Sequence, residues 1–139
     1  MPRISYVNGR YLRHPNAMVH IEDRGYQFAD AVYEVVAIIA GKLVDGDLHF
    51  DRLERSLREI QMDVPFSRDI FRLKVAELLR VNHLQSCLLY LQISRGVAPR
   101  NHHIPSPLGQ SVVMTVKPLM PPAASTLEEG VSIITVEDI

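Results

Sequence analysis

The chain has 139 residues, of which 47% are hydrophobic, and its 15 basic and 16 acidic residues leave a formal net charge of −1. That length suits one domain with a core of its own, and the balanced charge argues against nucleic acid or an anionic membrane surface as a partner. With no apolar run near the roughly 20 residues that span a bilayer, no secretion signal and only Cys87 for a disulfide or a cysteine-based zinc site, we expect a soluble cytoplasmic protein.

The first part of the chain predicts two hairpins. In ISYVNGRYLRH the dipeptide Asn8-Gly9 lies between two alternating arms and accepts the positive φ angles that a tight turn requires. DAVYEVVAIIAGKLVDGD combines a long β-branched run, a Gly41-Lys42 turn and a short return strand. Because side chains alternate along a strand, one face of that run carries Val32, Glu34 and Val36, and the other face carries Ala31, Tyr33 and Val35.

Two helices are predicted next. In LHFDRLERSLREIQM the positions Leu53, Leu57 and Ile60 follow the i, i+4, i+7 spacing of one buried stripe. Pro65 ends that region, and Ser67 is the expected N-cap of a second helix that runs through IFRLKVAELLRVNHL.

The pattern then returns to period two in SCLLYLQIS and QSVVMTVK, which predict two further strands. We therefore expect residues 1–117 to form a small α+β domain, an antiparallel sheet with two helices packed on one face. The Pro- and Ala-rich residues 118–126 predict a linker. GVSIITVEDI predicts one more strand with no partner here, so residues 127–139 are interpreted as the start of an incomplete second domain.

The loop SRGVAPRNHH, residues 94–103, is a candidate anion site. Arginine grips carboxylates well because its fork supplies two parallel donors. Arg100 and His102 are separated by one residue, so in an extended segment both point to one side and can converge on a small anion. A solvated surface loop accounts for the same residues, and Arg95 and His103 are expected to be structural or exposed.

Two other stretches carry weaker signals. In EDRGYQFADAVYEVV, Tyr33 can direct a hydroxyl into a site, and Glu34 either faces water or is a buried carboxylate with a partner. In HFDRLERS, Arg52 lies near an expected helix start, where backbone N–H groups favour phosphate. Core packing and a solvated helix face are the alternative interpretations.

Other chemistries lack their motifs. The six histidines show no HExxH spacing, and the chain has neither a Gly-rich phosphate loop nor a G-x-S-x-G elbow. Cys87 lies on an apolar strand face, so packing is its expected role.

Taken in order, EDRGYQF, D-x-VYE, HFDRL and SRG followed by PR-x-H closely resemble the N-terminal half of class IV (fold type IV) aminotransferases, which use pyridoxal 5′-phosphate. The resemblance extends from YVNGRYL to VEDI, nearly the whole chain. Within the family it is greatest to D-amino-acid transaminases. Branched-chain aminotransferases usually carry an F-E-G-x-R pattern where this chain has VYEVV, and aminodeoxychorismate lyases share SRG but usually lack PR-x-H.

The resemblance implies residue roles. Arg52 would hold the cofactor phosphate, while Tyr33, Arg100 and His102 would form the pocket for the substrate α-carboxylate. In the family this loop reaches into the opposite subunit, so a homodimer acting on an amino acid and a 2-oxo acid is implied. The motif residues Glu34, Arg24 and Tyr26 are expected to be structural.

One family residue is missing. The family requires a lysine that forms the internal Schiff base and moves the proton, and none of the three lysines here, Lys42, Lys74 and Lys117, matches it. The resemblance implies that this lysine lies beyond Ile139. We therefore expect the N-terminal part of a D-amino-acid aminotransferase, inactive alone. The alternatives are a branched-chain aminotransferase or aminodeoxychorismate lyase of the same family, or a non-catalytic dimerising fragment.

Overall fold

One antiparallel sheet organises the chain. In the computed structural model, which describes residues 3–104, 106, 108–120 and 122–137, six strands join in the order β2-β1-β6-β5-β3-β4. The strands are β1 (Ile4–Val7), β2 (Arg10–Arg13), β3 (Ala31–Ile39), β4 (Lys42–Leu43), β5 (Cys87–Ser94) and β6 (Ser111–Pro118). The α-helices are α1 (Arg24–Phe28), α2 (Gly46–Glu59), α3 (Arg68–Asn82) and α4 (Ala124–Glu129). The predicted α+β class with an antiparallel sheet is confirmed.

The two predicted hairpins form. Asn8 and Gly9 both have positive φ, at 46° and 91°, and connect β1 to β2. In the second hairpin the positive φ angles belong to Ala40 and Gly41, so the turn lies one residue earlier than predicted. Lys42 is already the first residue of β4.

Both long helices pack on the same face of the sheet. The predicted stripe of α2 is buried at Leu53 and Leu57, and the Ser67 hydroxyl caps α3 by accepting from the Ile70 N–H at 3.4 Å. Alternate residues of β3 and β5 complete this core with the helices, among them Val36, Ile38, Cys87, Leu89, Leu91 and Ile93. Fully packed side chains of this kind exclude water and supply most of the stabilisation of such a fold.

The opposite face of the sheet, here called the open face, carries the residues between those core positions. Tyr33 is 65% exposed there, and Val35 and Leu88 are also exposed. Among the described residues no long helix covers these side chains. The period-two prediction for β3 is therefore confirmed, with one face under the helices and the other accessible.

The predicted strand near the end of the chain does not form. Residues 131–137 are exposed and outside any strand, and α4 crosses the predicted boundary between linker and second domain. A strand needs a neighbouring strand for its backbone hydrogen bonds, and residues 131–137 pair with none of the described strands. Asp138 and Ile139 of the predicted strand lie outside the described residues, and the domain boundaries remain predictions.

Within the described part of the chain, no helix is both long and apolar enough to cross a bilayer. The same residues contain no cluster of three or more His, Cys, Asp or Glu side chains suited to a metal ion. Cys87 is fully buried, and burial raises the pKa of its thiol, which disfavours the reactive thiolate. Its expected packing role agrees with this environment.

Candidate functional site

The sequence DRGYQF folds into the short helix α1, which is pressed against the sheet. Asp23 caps it, because one carboxylate oxygen accepts from the Gly25 N–H at 2.8 Å. A Cβ on Gly25 would lie 2.8 Å from the Cβ of Ser94 and 3.3 Å from that of Ala31. Only glycine therefore allows α1 to approach the ends of β3 and β5 this closely.

Asp30, between α1 and β3, is the centre of a buried ionic network. Its carboxylate accepts from the Arg24 Nε at 2.8 Å and from the Arg95 Nε at 2.8 and 3.0 Å. The side chains of Asp30, Arg24 and Arg95 are only 13%, 5% and 11% exposed. Burial on its own would raise the pKa of Asp30, but the hydrogen bonds from Arg95 and Arg24 outweigh it and lower that pKa.

The two arginines of this network also hold backbone carbonyls. The Arg24 Nη1 donates to the Asn101 carbonyl at 2.8 Å, and the Arg95 Nη2 donates to the Ile60 carbonyl at 2.6 Å. The network therefore ties the loop after β5 to α1 and to the C-terminal end of α2. Arg24 and Arg95 are structural, as expected.

Arg100 and His102 meet on one aromatic ring. The guanidinium carbon of Arg100 lies 5.2 Å from the centre of the Phe28 ring, and the His102 ring centre lies 5.4 Å from the same point. Arg24 contacts that ring as well, at 4.7 Å. Both Arg100 and His102 are exposed, so their donors remain available to an anion. Arg100 and His102 therefore lie beside the same ring, and their convergence on an anion stays a prediction. The backbone N–H of the exposed His103 donates to the Asn101 side chain within its own loop.

Tyr33 lies apart from that pair, on the open face of β3. Its ring stacks on Tyr90 with centroids 5.8 Å apart, and the Tyr90 hydroxyl donates to the Gln92 side chain. The hydrogen bonds and ring contacts of the described residues link Tyr33 to neither Arg100 nor His102. Sequence reasoning missed Tyr90 and Gln92, because their position beside Tyr33 depends on the strand register that pairs Tyr33 with Gln92.

A cleft adjoins Tyr33 on the open face. It has a volume of about 330 Å³ and is lined by the polar residues Asp23, Gln92, Ser94 and Ser111, with Tyr26 at its side. Gln92 belongs to both this cleft and the pair with Tyr33. The open face thus offers a concave surface beside an exposed tyrosine, and its lining combines these polar side chains with Val19 and Val113.

Glu34 points the other way, beneath α2, and is 3% exposed. Its carboxylate accepts from Arg52 through Nε at 2.7 Å and Nη2 at 2.5 Å, and bonds with His49 Nδ1 at 2.8 Å. Burial alone would raise the pKa of Glu34, but the hydrogen bonds from Arg52 and His49 outweigh it and lower that pKa. Of the two interpretations of Glu34, the buried carboxylate with partners is the one observed.

Arg52 is half-exposed at the edge of this group. Its side chain is 53% accessible, and its Nη1 has no hydrogen-bond partner among the described residues. The expectation that it lies near a helix start is wrong, because α2 begins at Gly46, about 9 Å away along the helix axis. Sequence reasoning also missed His49, although its i, i+3 spacing to Arg52 places both on one helix face.

The sequence pattern of the family described as "Amino-transferase class IV" matches residues 31–138. A D-alanine aminotransferase of Staphylococcus haemolyticus is 40% identical over 134 residues, which are 96% of this chain and 48% of that protein. One of Bacillus licheniformis is 40% identical over 132 residues, 95% of this chain and 46% of that protein. The chain thus spans about half the length of the curated relatives it matches.

Solved structures share the fold at lower identity. A branched-chain amino acid aminotransferase of Escherichia coli superposes with a TM-score of 0.80 at 19% identity, over 91% of this chain and 43% of its own. A 4-amino-4-deoxychorismate lyase of Pseudomonas aeruginosa gives 0.71 at 24% identity, over 91% and 44%. At these identities the similarity shows a common fold, and it does not distinguish one activity from another.

Removing the charge of Asp30 should destabilise the protein strongly. In Asp30→Asn two buried arginines lose their counter-charge, so we expect a loss of about 3–5 kcal/mol in the free energy of unfolding at neutral pH, measured by urea denaturation. Because the folded-state pKa of Asp30 is lowered, its contribution is complete above the ordinary aspartate pKa of about 3.9 and is lost as pH falls through the folded value. The difference between wild type and Asp30→Asn should therefore shrink at acid pH.

Asp51 provides the matched control, because its bond to Arg68 is exposed on the surface of α2. Asp51→Asn should leave the free energy of unfolding within error, since exposed pairs contribute little. Equal losses for the two variants, or a difference that grows as pH falls, would contradict the role assigned to Asp30.

Proposed function

The chain belongs to the class IV aminotransferase family. From that premise we propose that it is part of an enzyme that moves an amino group between a D-amino acid and a 2-oxo acid, and that it supplies the side chains that bind the cofactor phosphate and the substrate carboxylate. The observation that carries the proposal is the 40% identity, over 96% of the chain, to a D-alanine aminotransferase. Curated relatives at 34% to 40% identity share that description. Structures of branched-chain enzymes and of a lyase, at 17% to 24%, support the fold alone.

Pyridoxal phosphate is the cofactor of this family. When bound, it supplies an electron sink for the carbanion that forms when the α-proton of an amino acid is removed. Arg52 suits the cofactor phosphate, because its side chain is half-exposed and its Nη1 is free of partners among the described residues. Its pKa is raised by the hydrogen bond to Glu34, so it stays cationic throughout the working pH range.

The substrate carboxylate is assigned to Arg100 and His102. Arg100 offers a planar fork and His102 a second donor, and both side chains contact the Phe28 ring. The Arg24 bond to the Asn101 carbonyl holds the intervening backbone, so that the two donors are presented in one orientation. A fixed carboxylate leaves the amino acid one face toward the reacting centre, and this is the basis of the proposed preference for the D-enantiomer.

We propose that Tyr33 joins this pocket from a second copy of the chain. Within one chain Tyr33 stacks on Tyr90 on the open face, while Arg100 and His102 pack on Phe28. We therefore propose a homodimer in which the loop of one copy meets Tyr33 of the other. A two-fold dimer forms two such pockets by symmetry.

No lysine of the chain lies beside Tyr33. Lys42 is exposed on β4. The Lys74 Nζ lies 4.9 Å from the centre of the Tyr6 ring, which belongs to the core between the sheet and the helices. Lys117 is on the open face, but it lies four positions along β6 from Val113. Val113 is in register with Gln92, which in turn pairs with Tyr33. That separation is about 13 Å. The lysine that bonds covalently to the cofactor is therefore proposed to come from outside these residues, and the chain alone to be inactive.

The activity is tested with a chimera in which this chain replaces the N-terminal half of the Staphylococcus haemolyticus enzyme that it matches. The chimera should transfer the amino group of D-alanine to 2-oxoglutarate, and the 139-residue chain alone should not. Arg100→Lys should lower kcat/KM for D-alanine by about 100-fold, because lysine cannot reproduce the fork. Arg80→Lys, on the exposed surface of α3, is the matched control and should have no effect. Turnover by the chain alone, or a preference of the chimera for branched-chain L-amino acids, would refute the proposal.

The shared pocket is tested by mixing two inactive chimeras, Tyr33→Ala and Arg100→Ala. Random re-pairing of subunits places one intact pocket in half of the dimers, so about a quarter of wild-type activity should return. Activity is measured before and after dissociation and reassociation, and either variant taken through the same cycle alone should stay inactive. If mixing restores nothing, Tyr33 and Arg100 do not meet across subunits.

A further inference from the structure

Glu34 is a buried ionised group without a part in the proposed chemistry. We infer that it is a positioning residue, which together with His49 holds the Arg52 guanidinium in one orientation for a phosphate ester. The inference rests on the proposed function in one respect, namely that Arg52 binds the cofactor phosphate.

Stability alone is a poor explanation for a carboxylate in this place. Glu34 is 3% exposed in a strand whose neighbours on the same face, Val36 and Ile38, are apolar core residues. Taking a carboxylate out of water carries a desolvation cost that its ion pair often does no more than offset, and apolar side chains of similar size commonly serve stability as well. A charged residue here therefore calls for a role that an apolar residue could not perform.

The geometry indicates that role. Both carboxylate oxygens of Glu34 engage Arg52, one through Nε and one through Nη2, and this bidentate arrangement fixes the guanidinium plane as well as its position. His49 bonds to the same oxygen as Nη2, at 2.8 Å, and so restrains the carboxylate itself. Of the five guanidinium N–H donors, those on Nη1 stay without a partner among the described residues.

Preorganisation follows from this arrangement. A half-exposed arginine without a partner samples many rotamers and must be ordered when a ligand binds, which weakens affinity. Held by Glu34, Arg52 is ordered beforehand and presents Nη1 to the phosphate. A purely electrostatic account predicts the opposite effect, because removing the negative charge of Glu34 would then strengthen phosphate binding.

The test uses the 139-residue chain and two probes, pyridoxine 5′-phosphate and pyridoxine, which lack the reactive aldehyde and differ only in the phosphate. Dissociation constants come from titrations followed by NMR, with the Arg52 Nε–H signal as the local reporter. Glu34→Gln should weaken binding of the phosphate ester by about 5- to 10-fold and leave pyridoxine binding unchanged. The Arg52 Nε–H should also exchange faster with water in this variant.

Two further variants complete the design. Glu77→Gln is the matched control, because Glu77 holds Arg80 by the same bidentate bond, at 2.7 and 2.7 Å, on an exposed face of α3. It should change neither constant. Arg52→Ala should abolish the advantage of the phosphate ester over pyridoxine, and adding Glu34→Gln to it should cost nothing more, since Glu34 acts through Arg52.

The outcomes separate the inference from the function on which it rests. If wild type binds both probes equally, Arg52 does not bind the phosphate, and both the positioning role of Glu34 and the proposed role of Arg52 are refuted. A Glu34→Gln variant that binds the ester as tightly as wild type, or more tightly, would overturn the positioning role alone, as would equal weakening of pyridoxine. If Glu34→Gln fails to fold, Glu34→Asp replaces it, because its shorter carboxylate cannot reach both nitrogens, and the same loss is expected.

Discussion

The carboxylate of Asp30, held between Arg24 and Arg95, is the interaction on which the candidate site depends. It joins three segments that are remote in sequence, namely α1, the loop after β5 and, through an Arg95 bond to a carbonyl, the end of α2. Two arginines bonded to one buried carboxylate keep it ionised and themselves oriented. Arg24 then reaches the Asn101 carbonyl, so the backbone beside Arg100 is fixed by the same network. The loop that carries Arg100 and His102, the residues proposed to bind the substrate carboxylate, is thus held by this largely buried ionic network.

Strand β3 extends that principle to both faces of the sheet. Because its side chains alternate, Tyr33 stands on the open face while Glu34, the next residue, lies under α2. Glu34 bonds to Arg52 and His49 from the core side of α2, so a buried carboxylate holds the half-exposed side chain of Arg52. A one-residue shift of register would exchange the two roles. The bonds of Glu34 to Arg52 and His49 therefore account for a charged residue on the apolar side of β3.

Local pattern predicted much of this arrangement. Period two in β3 and β5 and the i, i+4 stripe of α2 depend on neighbouring residues only, and each prediction from them was confirmed. The predicted strand in GVSIITVEDI is not present at residues 131–137. An alternating pattern shows which segment could be a strand, but it does not specify the neighbouring strand with which the backbone must pair. The helix start near Arg52 was also misplaced, because Asp45-Gly46 leads from the hairpin directly into α2. The partners of Asp30 and Glu34 lie as many as 65 residues away, and no local pattern could identify them.

The most direct test of the account is covalent trapping of the cofactor on the 139-residue chain. The chain is incubated with pyridoxal phosphate and reduced with borohydride, and the product is analysed by intact mass and peptide mapping. We expect no stoichiometric adduct, or only traces shared among Lys42, Lys74 and Lys117, because none of these lysines lies beside Tyr33. A stoichiometric adduct on one of them would mean that the chain carries a covalent cofactor site of its own, and the proposed division of roles would be wrong.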